Sequence, residues 1–432
     1  MQLAGVKMLL LSGYLIVDAG FHGRTSRKIP EAVIIKQLVN MLFEELDIVE
    51  PILTALREKG YKNPTPIQQQ AIPAIISGRD VVACAQTGTG KTASFSIPLL
   101  QNLSRRNQRG TIRALVLVPT RELAIQVSDN VDKYGKHLSV RSVLIFGGVP
   151  QTKQVQSIRK GCDVIIATPG RLMDLIQQRI FSLSNLELLI MDEADRMLDM
   201  GFIRDVKRIL AMIPSDCQKV LLSATMPSEI QQLVISILKD PIKINIAPVS
   251  AAVKIEQTVY YVDRGNKKAL LKHVISEHDM ANVLVFARTK HGADKIARDL
   301  QRSGISAEAF HGNKSQGARQ RSLSNFKSNR TRVLVATDIA SRGIDIADLP
   351  FVINYEMPET AETYTHRIGR TGRAGKAGKA LSFCDHEESS QLKQIDRLHK
   401  GKLQVAEHPF AKTFRHEVPV AKQSFRKQYH NQ

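Results

Sequence analysis

The sequence predicts an α/β protein made of two tandem domains, each built on a parallel sheet. Three observations predict it. Runs of four or five aliphatic residues recur through the chain, of the kind that form strands buried on both faces. Helical patterns such as Arg121–Tyr134 and 170–178 sit between them, which is the βαβ alternation of a parallel sheet with helices on both sides. The alternation pauses at Ala247-Pro248-Val249-Ser250-Ala251-Ala252 and then resumes. The chain therefore divides into a unit at about 41–247, a linker at 248–253 and a second unit at 254–385.

In order, the first unit opens at Met41 with the helix-led stretch MLFEELDIVEPIL. Its expected strands are 81–84, 114–118, 164–167, 188–191 and 220–222. Those of the second unit are 283–286, 333–336, 352–354 and 380–383. Residues 1–40 match neither unit and are read as an extension, from an upstream misassigned start or disordered. Their apolar stretch from Met8 to Val17 mimics a short signal peptide but ends in Asp18-Ala19-Gly20, without a small-x-small cleavage site. No stretch reaches the roughly 18–20 apolar residues of a membrane span. Residues 386–432 carry nine basic and five acidic side chains, with Pro409 and Pro419 against a long helix. This basic tail reads equally well as a solvated end or as a weak RNA-holding arm.

Composition narrows the class. The 432 residues are 43% hydrophobic and 24% charged, which excludes a disordered, collagenous or low-complexity chain. The four cysteines, Cys84, Cys162, Cys217 and Cys384, show no CxxC spacing, so neither a zinc site nor a disulfide framework is indicated, and a reducing cytoplasm is the simplest home. With 61 basic against 41 acidic residues the net charge is +20, which suits a polyanionic partner.

Two motifs carry chemistry. The strand at 81–84 runs into Ala85-Gln86-Thr87-Gly88-Thr89-Gly90-Lys91-Thr92 and then a helix. Glycines there let backbone N–H groups curl around phosphate oxygens, and the helix N-terminus adds a favourable dipole. Lys91 is expected on the β- and γ-phosphates and the Thr92 hydroxyl on Mg2+. The strand at 188–191 ends in Asp192-Glu193-Ala194-Asp195, at the edge where open α/β sheets bind ligands. Asp192 is expected to hold Mg2+, directly or through water, and Glu193 to orient and deprotonate an attacking water.

Asp-Glu-Ala-Asp, as it stands here, resembles the signature of the DEAD-box ATP-dependent RNA helicases, and the similarity covers residues 43–385. The resemblance implies two RecA-like domains, the superfamily 2 helicase core, with ATP and Mg2+ as cofactors. Gly60 to Gln68 looks like the family's Q motif, with Phe43 seventeen residues upstream. By that likeness Gln68 reads the adenine edge, which suits a carboxamide with both donor and acceptor, and Phe43 covers its face. Ser223-Ala224-Thr225 resembles the segment that, with Asp195 and His366, couples hydrolysis to strand separation. His366-Arg367-Ile368-Gly369-Arg370-Thr371-Gly372-Arg373 is similar to the arginine-finger motif. Alone it reads equally as a solvated basic face; beside a phosphate loop, Arg370 and Arg373 are expected to stabilise transition-state charge, which makes closure of the two domains a condition of catalysis. Asp345 is placed by likeness near the ribose.

Further short segments look like the family's RNA contacts: Pro119 and Arg121, Gly148, Thr168 and Arg171, Arg288 and Thr289, Gln316 and Arg319, and Thr337. Hydroxyls, arginines and glycine N–H groups suit phosphate and sugar rather than base edges. Aromatics are 5% and tryptophan is absent, so a stacking platform is not expected and binding is sequence-nonspecific. The stretches 197–202 and 363–366 look closest to the bacterial RhlE-type branch. The implied protein is a monomer that locally unwinds RNA duplexes or remodels ribonucleoprotein, on ribosomal precursors or with RNA-decay proteins. The rivals are a DNA translocase on the same scaffold and a non-catalytic RNA-binding or annealing protein. The Q motif and the tetrad weigh against the first, and the set Lys91, Asp192, Glu193 and Arg370 against the second.

Overall fold

The computed structural model describes residues 6–11, 14–19, 41–86, 88–105, 110–246, 255–278, 280–341, 346, 349–372, 378–399, 401 and 403–410. Strands β1 (Val6–Leu11) and β2 (Tyr14–Ala19) pair antiparallel in a sheet of their own. The expectation of disorder therefore fails for this part of the extension: the apolar stretch from 8 to 17 is divided between two strands.

The first domain's strands are β3 (Val81–Cys84), β4 (Ala114–Leu117), β5 (Ser142–Ile145), β6 (Val164–Ala167), β7 (Leu188–Met191), β8 (Gln218–Ser223) and β9 (Ile242–Asn245). They form one wholly parallel sheet in the order β5-β6-β4-β7-β8-β3-β9. The second domain repeats the design with β10 (Ile255–Tyr261), β11 (Val283–Phe286), β12 (Ala307–Phe310), β13 (Val333–Ala336), β14 (Phe351–Asn354), β15 (Gly378–Cys384) and β16 (Gln404–Val405). Its parallel order is β12-β13-β11-β14-β15-β10-β16. Helices cover both faces, so each central strand feeds two cores. In β4, Ala114 and Val116 join one cluster while Leu115 and Leu117 join the other, the two-residue alternation of a strand.

Register brings the motifs together. Leu117 stands opposite both Met191 and Ala167, so the chain leaves β4, β7 and β6 side by side at 118, 192 and 168. Cys84 stands opposite Ser223, which sets the phosphate loop beside the Ser-Ala-Thr segment. In the second domain Phe286 pairs with Ala336 and Asn354, so Arg288, Thr337 and Glu356 emerge at one edge.

The tail expected from residue 386 is a correction. Residues His386–Glu388 form a 3-10 turn, Ser389–Leu398 a helix, and β16 adds to the second sheet beside β10. Leu392, Ile395 and Glu388 are buried, which ties this charged segment down. Pro409 lies beyond β16 and interrupts nothing. The second domain therefore runs to at least residue 410, and residues 411–432 and the linker lie outside the described residues. Among the described residues no helix is long and apolar enough to cross a membrane.

Candidate nucleotide and RNA site

The phosphate loop is braced from two sides. Ala85 N donates to Ser223 O at 3.0 Å, and the helix Lys91–Ser104 starts at once after Gly90. Gly88 and Gly90 have φ of 90° and 93°, the left-handed region that favours glycine. A Cβ on Gly90 would meet Gln68 Nε2 at 2.5 Å and Thr65 Oγ1 at 2.9 Å. Gln68 is buried, accepts from Thr65 N at 2.9 Å and donates to Gly90 O at 3.2 Å. Its carboxamide thus both caps the helix Pro66–Ile76 and grips the loop. Phe43 is 2% exposed and packs in the core with Ile67 and Ile72. Its ring is enclosed by that core. Thr89 Oγ1 donates to Gln86 O at 2.8 Å, Thr92 is half-buried and Thr87 lies outside the described residues.

Lys91 is 6% exposed, and its Nζ is buried with no hydrogen-bond partner among the described residues. An orphaned ammonium is costly, and it fits an anion that belongs beside the loop. Asp192 is buried next to it, with N donating to Leu117 O at 3.0 Å and Oδ1 accepting from Glu193 N at 2.9 Å. Burial pushes its carboxyl up to about 7, against the pull of the Lys91 charge and with a further push from Glu193. Glu193 adopts φ 54°, unusual for a residue with a Cβ and typical of functional turns, and its carboxylate pairs with Arg196 Nη1 at 2.6 Å. Arg196 was not singled out in the sequence; its position one turn after Glu193 was the available signal.

Asp195 joins the tetrad to β8. Its Oδ2 accepts from Thr225 N at 2.8 Å, Thr225 Oγ1 at 2.9 Å and Ala224 N at 3.2 Å, and its own N donates to Ser223 Oγ at 3.2 Å. In the second domain Arg370 is buried, as is Arg367. Arg367 forks onto Asp338 at 2.6 and 2.7 Å, donates to Asn354 Oδ1 at 3.1 Å, and lies over the Phe286 ring at 5.0 Å. The first arginine of the motif is thus a scaffold for the segment after β13. His366 is half-buried on the helix Ala361–Ile368; Arg373 and Asp345 lie outside the described residues.

A cavity of about 320 Å³ between the domains is lined by Pro119, Arg121, Thr168 and Arg171 from one and Gly312 and Arg319 from the other. Gly148, at φ 73°, lets the Arg121 guanidinium lie against its Cα, where a Cβ would collide with it. Arg171 donates to Val149 O at 3.3 Å. Gln316 and Arg319 meet an acid across the domain boundary. Both side chains are engaged by the first domain: Gln316 Nε2 donates to Glu122 Oε1 at 3.1 Å and Arg319 Nη2 to Glu122 Oε2 at 2.9 Å, with the two charged side chains only 9% and 6% exposed. Glu122, missed from the sequence, therefore latches the domains together. An acid inside a basic phosphate-binding segment was its signal. Arg288 donates through Nη2 to Glu388 Oε1 at 2.8 Å, Thr289 caps the helix Lys290–Gln301, and Thr337 is half-buried at the end of β13.

The DEAD/DEAH box helicase family profile matches residues 65–233, and the helicase conserved C-terminal domain profile matches 266–375. RhpA of Helicobacter pylori, a DEAD-box ATP-dependent RNA helicase, is 41% identical over 368 residues, 85% of this chain and 74% of RhpA. The chain belongs to the DEAD-box ATP-dependent RNA helicase family. The helicase is also 41% identical to DeaD of Escherichia coli, of whose length it spans 59%. As a family member it is an ATP-hydrolysing enzyme.

Among solved structures, a DEAD box protein from Methanococcus jannaschii is 40% identical, with 85% of this chain and 99% of that chain covered, at a TM-score of 0.50. Saccharomyces cerevisiae Dbp5 bound to RNA and ADP BeF3 is only 29% identical, with 84% and 95% covered, yet scores 0.75.

Proposed function

We propose that the helicase grips ATP and an RNA backbone together across its two domains and uses hydrolysis to release local duplexes. Lys91 holds the β- and γ-phosphates, Thr92 and Asp192 hold Mg2+, and Glu193, oriented by Arg196, takes the proton from the attacking water. Bound Mg2+ supplies charge neutralisation to the phosphates. Arg370, with Arg373, meets the charge that develops on the transferred phosphoryl group, Gln68 keeps the loop shaped for the adenosine side, and Asp345 meets the ribose. Pro119, Arg121, Gly148, Thr168, Arg171, Arg288, Thr289 and Thr337 line the RNA path, where hydroxyls and arginines take phosphate and 2′-OH without reading bases. Asp195 transmits the state of the tetrad to Ser223 and Thr225. The setting is ribosome assembly or RNA turnover in the cytoplasm, by a monomer, and the 197–202 stretch supports the RhlE-type branch.

The observation that carries this reading is the buried, unpartnered Lys91 ammonium beside a buried Asp192, a pair whose electrostatics suit a metal-bound triphosphate. The test is Glu193→Gln with RNA-stimulated ATPase and duplex separation measured side by side. Both should fall by orders of magnitude while ATP and RNA still bind. Intact remodelling without hydrolysis would make the protein an annealing factor instead, and equal stimulation by DNA and RNA would restore the translocase reading.

A further inference from the structure

We propose that Glu388 is a positioning residue for RNA: its buried carboxylate, anchored from behind by Lys267, holds the Arg288 guanidinium in place at the RNA path. The inference rests on the reading of Arg288 as a phosphate contact. It concerns a residue beyond the matched C-terminal helicase domain, which ends at 375.

Lys267 is 1% exposed, and its Nζ lies 2.5 Å from Glu388 Oε2 and 3.1 Å from Asp385 Oδ2. Glu388 is buried as well, and its other oxygen faces outward, accepting from Arg288 Nη2 at 2.8 Å and Met357 N at 3.1 Å. Buried ion pairs roughly break even as stabilisers, so stability alone does not account for this one. What it adds is geometry. Oε2 is fixed on a core cation, and Oε1 therefore presents a rigid acceptor to an arginine that is 47% exposed. The Arg288 backbone is pinned too, since its N donates to Glu356 Oε2 at 2.6 Å. A rotamer-rich side chain is thus ordered before RNA arrives, and the cost of ordering it is removed from binding. The planar guanidinium has five N–H donors, and with Nη2 committed to Glu388 the rest of the fork remains for a phosphate. Lys267 and Arg288 balance Asp385 and Glu388, and Glu356 on the Arg288 backbone adds one further negative charge.

The sign of one substitution separates this role from bulk electrostatics. Glu388→Gln removes a negative charge near an RNA site, so a purely electrostatic role predicts tighter RNA binding. Positioning predicts weaker binding. The experiment measures affinity of the full chain for single-stranded oligouridylate, with a non-hydrolysable ATP analogue, across a salt series. Arg288→Ala should lower the slope of log K against log salt by about 0.7, one phosphate contact on a single strand. Glu388→Gln should weaken binding several-fold and lower the slope by a similar amount, and the double variant should match Arg288→Ala alone. Arg288→Lys, at a half-exposed position that threatens no core, keeps the charge but cannot serve carboxylate and phosphate with one fork, and should bind nearly as weakly as Arg288→Ala. Unchanged or tighter binding by Glu388→Gln, wild-type binding by Arg288→Lys, or additive losses in the double variant would overturn the inference while leaving Arg288 on RNA. A wild-type slope for Arg288→Ala would remove the reading of Arg288 itself.

Discussion

Replacing Glu122 by alanine should open the helicase without unfolding it. Glu122 belongs to the first domain, and its partners Gln316 and Arg319 to the second, so the contact exists only while the domains are together. Burial pulls the Arg319 pKa down, and the Glu122 charge is the main force restoring it. Arg319 also has a buried Nε without a partner among the described residues, and its guanidinium lies over the Phe310 ring at 5.0 Å, so Glu122 is its one charged partner among the ion pairs described. Breaking a buried ion pair by removing one side costs about 3–5 kcal/mol. Here that penalty falls on the closed arrangement alone, because Arg319 regains water when the domains part. At about 1.4 kcal/mol per factor of ten, even the lower figure weakens closure by roughly a hundredfold. The assay is RNA affinity with a non-hydrolysable ATP analogue, alongside thermal unfolding. Glu122→Ala should lose roughly that factor in affinity while its unfolding temperature stays near wild type. In a double-mutant cycle with Arg319→Ala, the combined loss should fall well short of the sum. Affinity within about twofold of wild type would refute the latch, given penalties of the size expected for buried pairs.

Three further outcomes are expected. Asp192, pushed up from the usual 3.8 to about 7, must lose its proton to take Mg2+, so Mg2+ affinity should rise about tenfold between pH 6 and pH 8, read by Mg2+ titration of ATPase, and a flat profile would count against it. In metal-free protein the sign reverses for stability: the folded state keeps a proton that the unfolded chain releases, so this stabilisation is full below about pH 4 and lost as pH rises through about 7, checked by metal-free melts. Asp195→Ala removes the acceptor of three donors from Ala224 and Thr225, so duplex separation should drop at least tenfold more than RNA-stimulated ATPase; parallel losses would argue for a general collapse of the site. Gly148→Ala displaces Arg121 and should weaken RNA binding several-fold, with ATP binding in the absence of RNA unchanged.

The fold was legible wherever a strand is buried on both faces. The apolar runs at β3, β6, β7, β11 and β13 agree with the structure residue for residue, since a strand flanked by helices on both sides must be apolar throughout. In the two seven-stranded sheets the strands that escaped notice are β5, β9, β10, β12 and β16, several of them at or near sheet edges. Ser142, Lys243 and Glu308 interrupt these runs because the first and last are only half-buried and Lys243 is exposed, and the period-two signal is too short to stand out over four residues. The segment from 386 looked like a tail for a related reason. Its anchors are Leu392 and Ile395, one face of a helix otherwise written in charge, and a glutamate whose burial depends on a lysine 121 residues away.

The site divides along the same line. Chemistry carried by contiguous residues, as in 85–92 and 192–195, was legible because one turn or one strand end brings the groups together. Chemistry shared between distant carboxylates and arginines was not. Arg121, Arg319, Arg367 and Arg288 look alike in sequence, yet one lies against Gly148, one on Glu122, one on Asp338 and one on Glu388. An arginine's fate is set by the acid it meets, and that meeting is a property of the fold. In a chain with 61 basic and 41 acidic residues, the basic side chains are therefore the uninformative ones. An acid that persists inside a basic track must be compensated there or it would repel the polyanion. Glu122 is of this kind and is satisfied by Arg319, whereas Glu388 closes the acidic turn 385–388 and is satisfied by Lys267 and Arg288. The same bonds that hide these two glutamates from the polyanion hold a domain boundary shut in one case and aim a guanidinium in the other, so buried acids paired with arginines are where to look first for such devices.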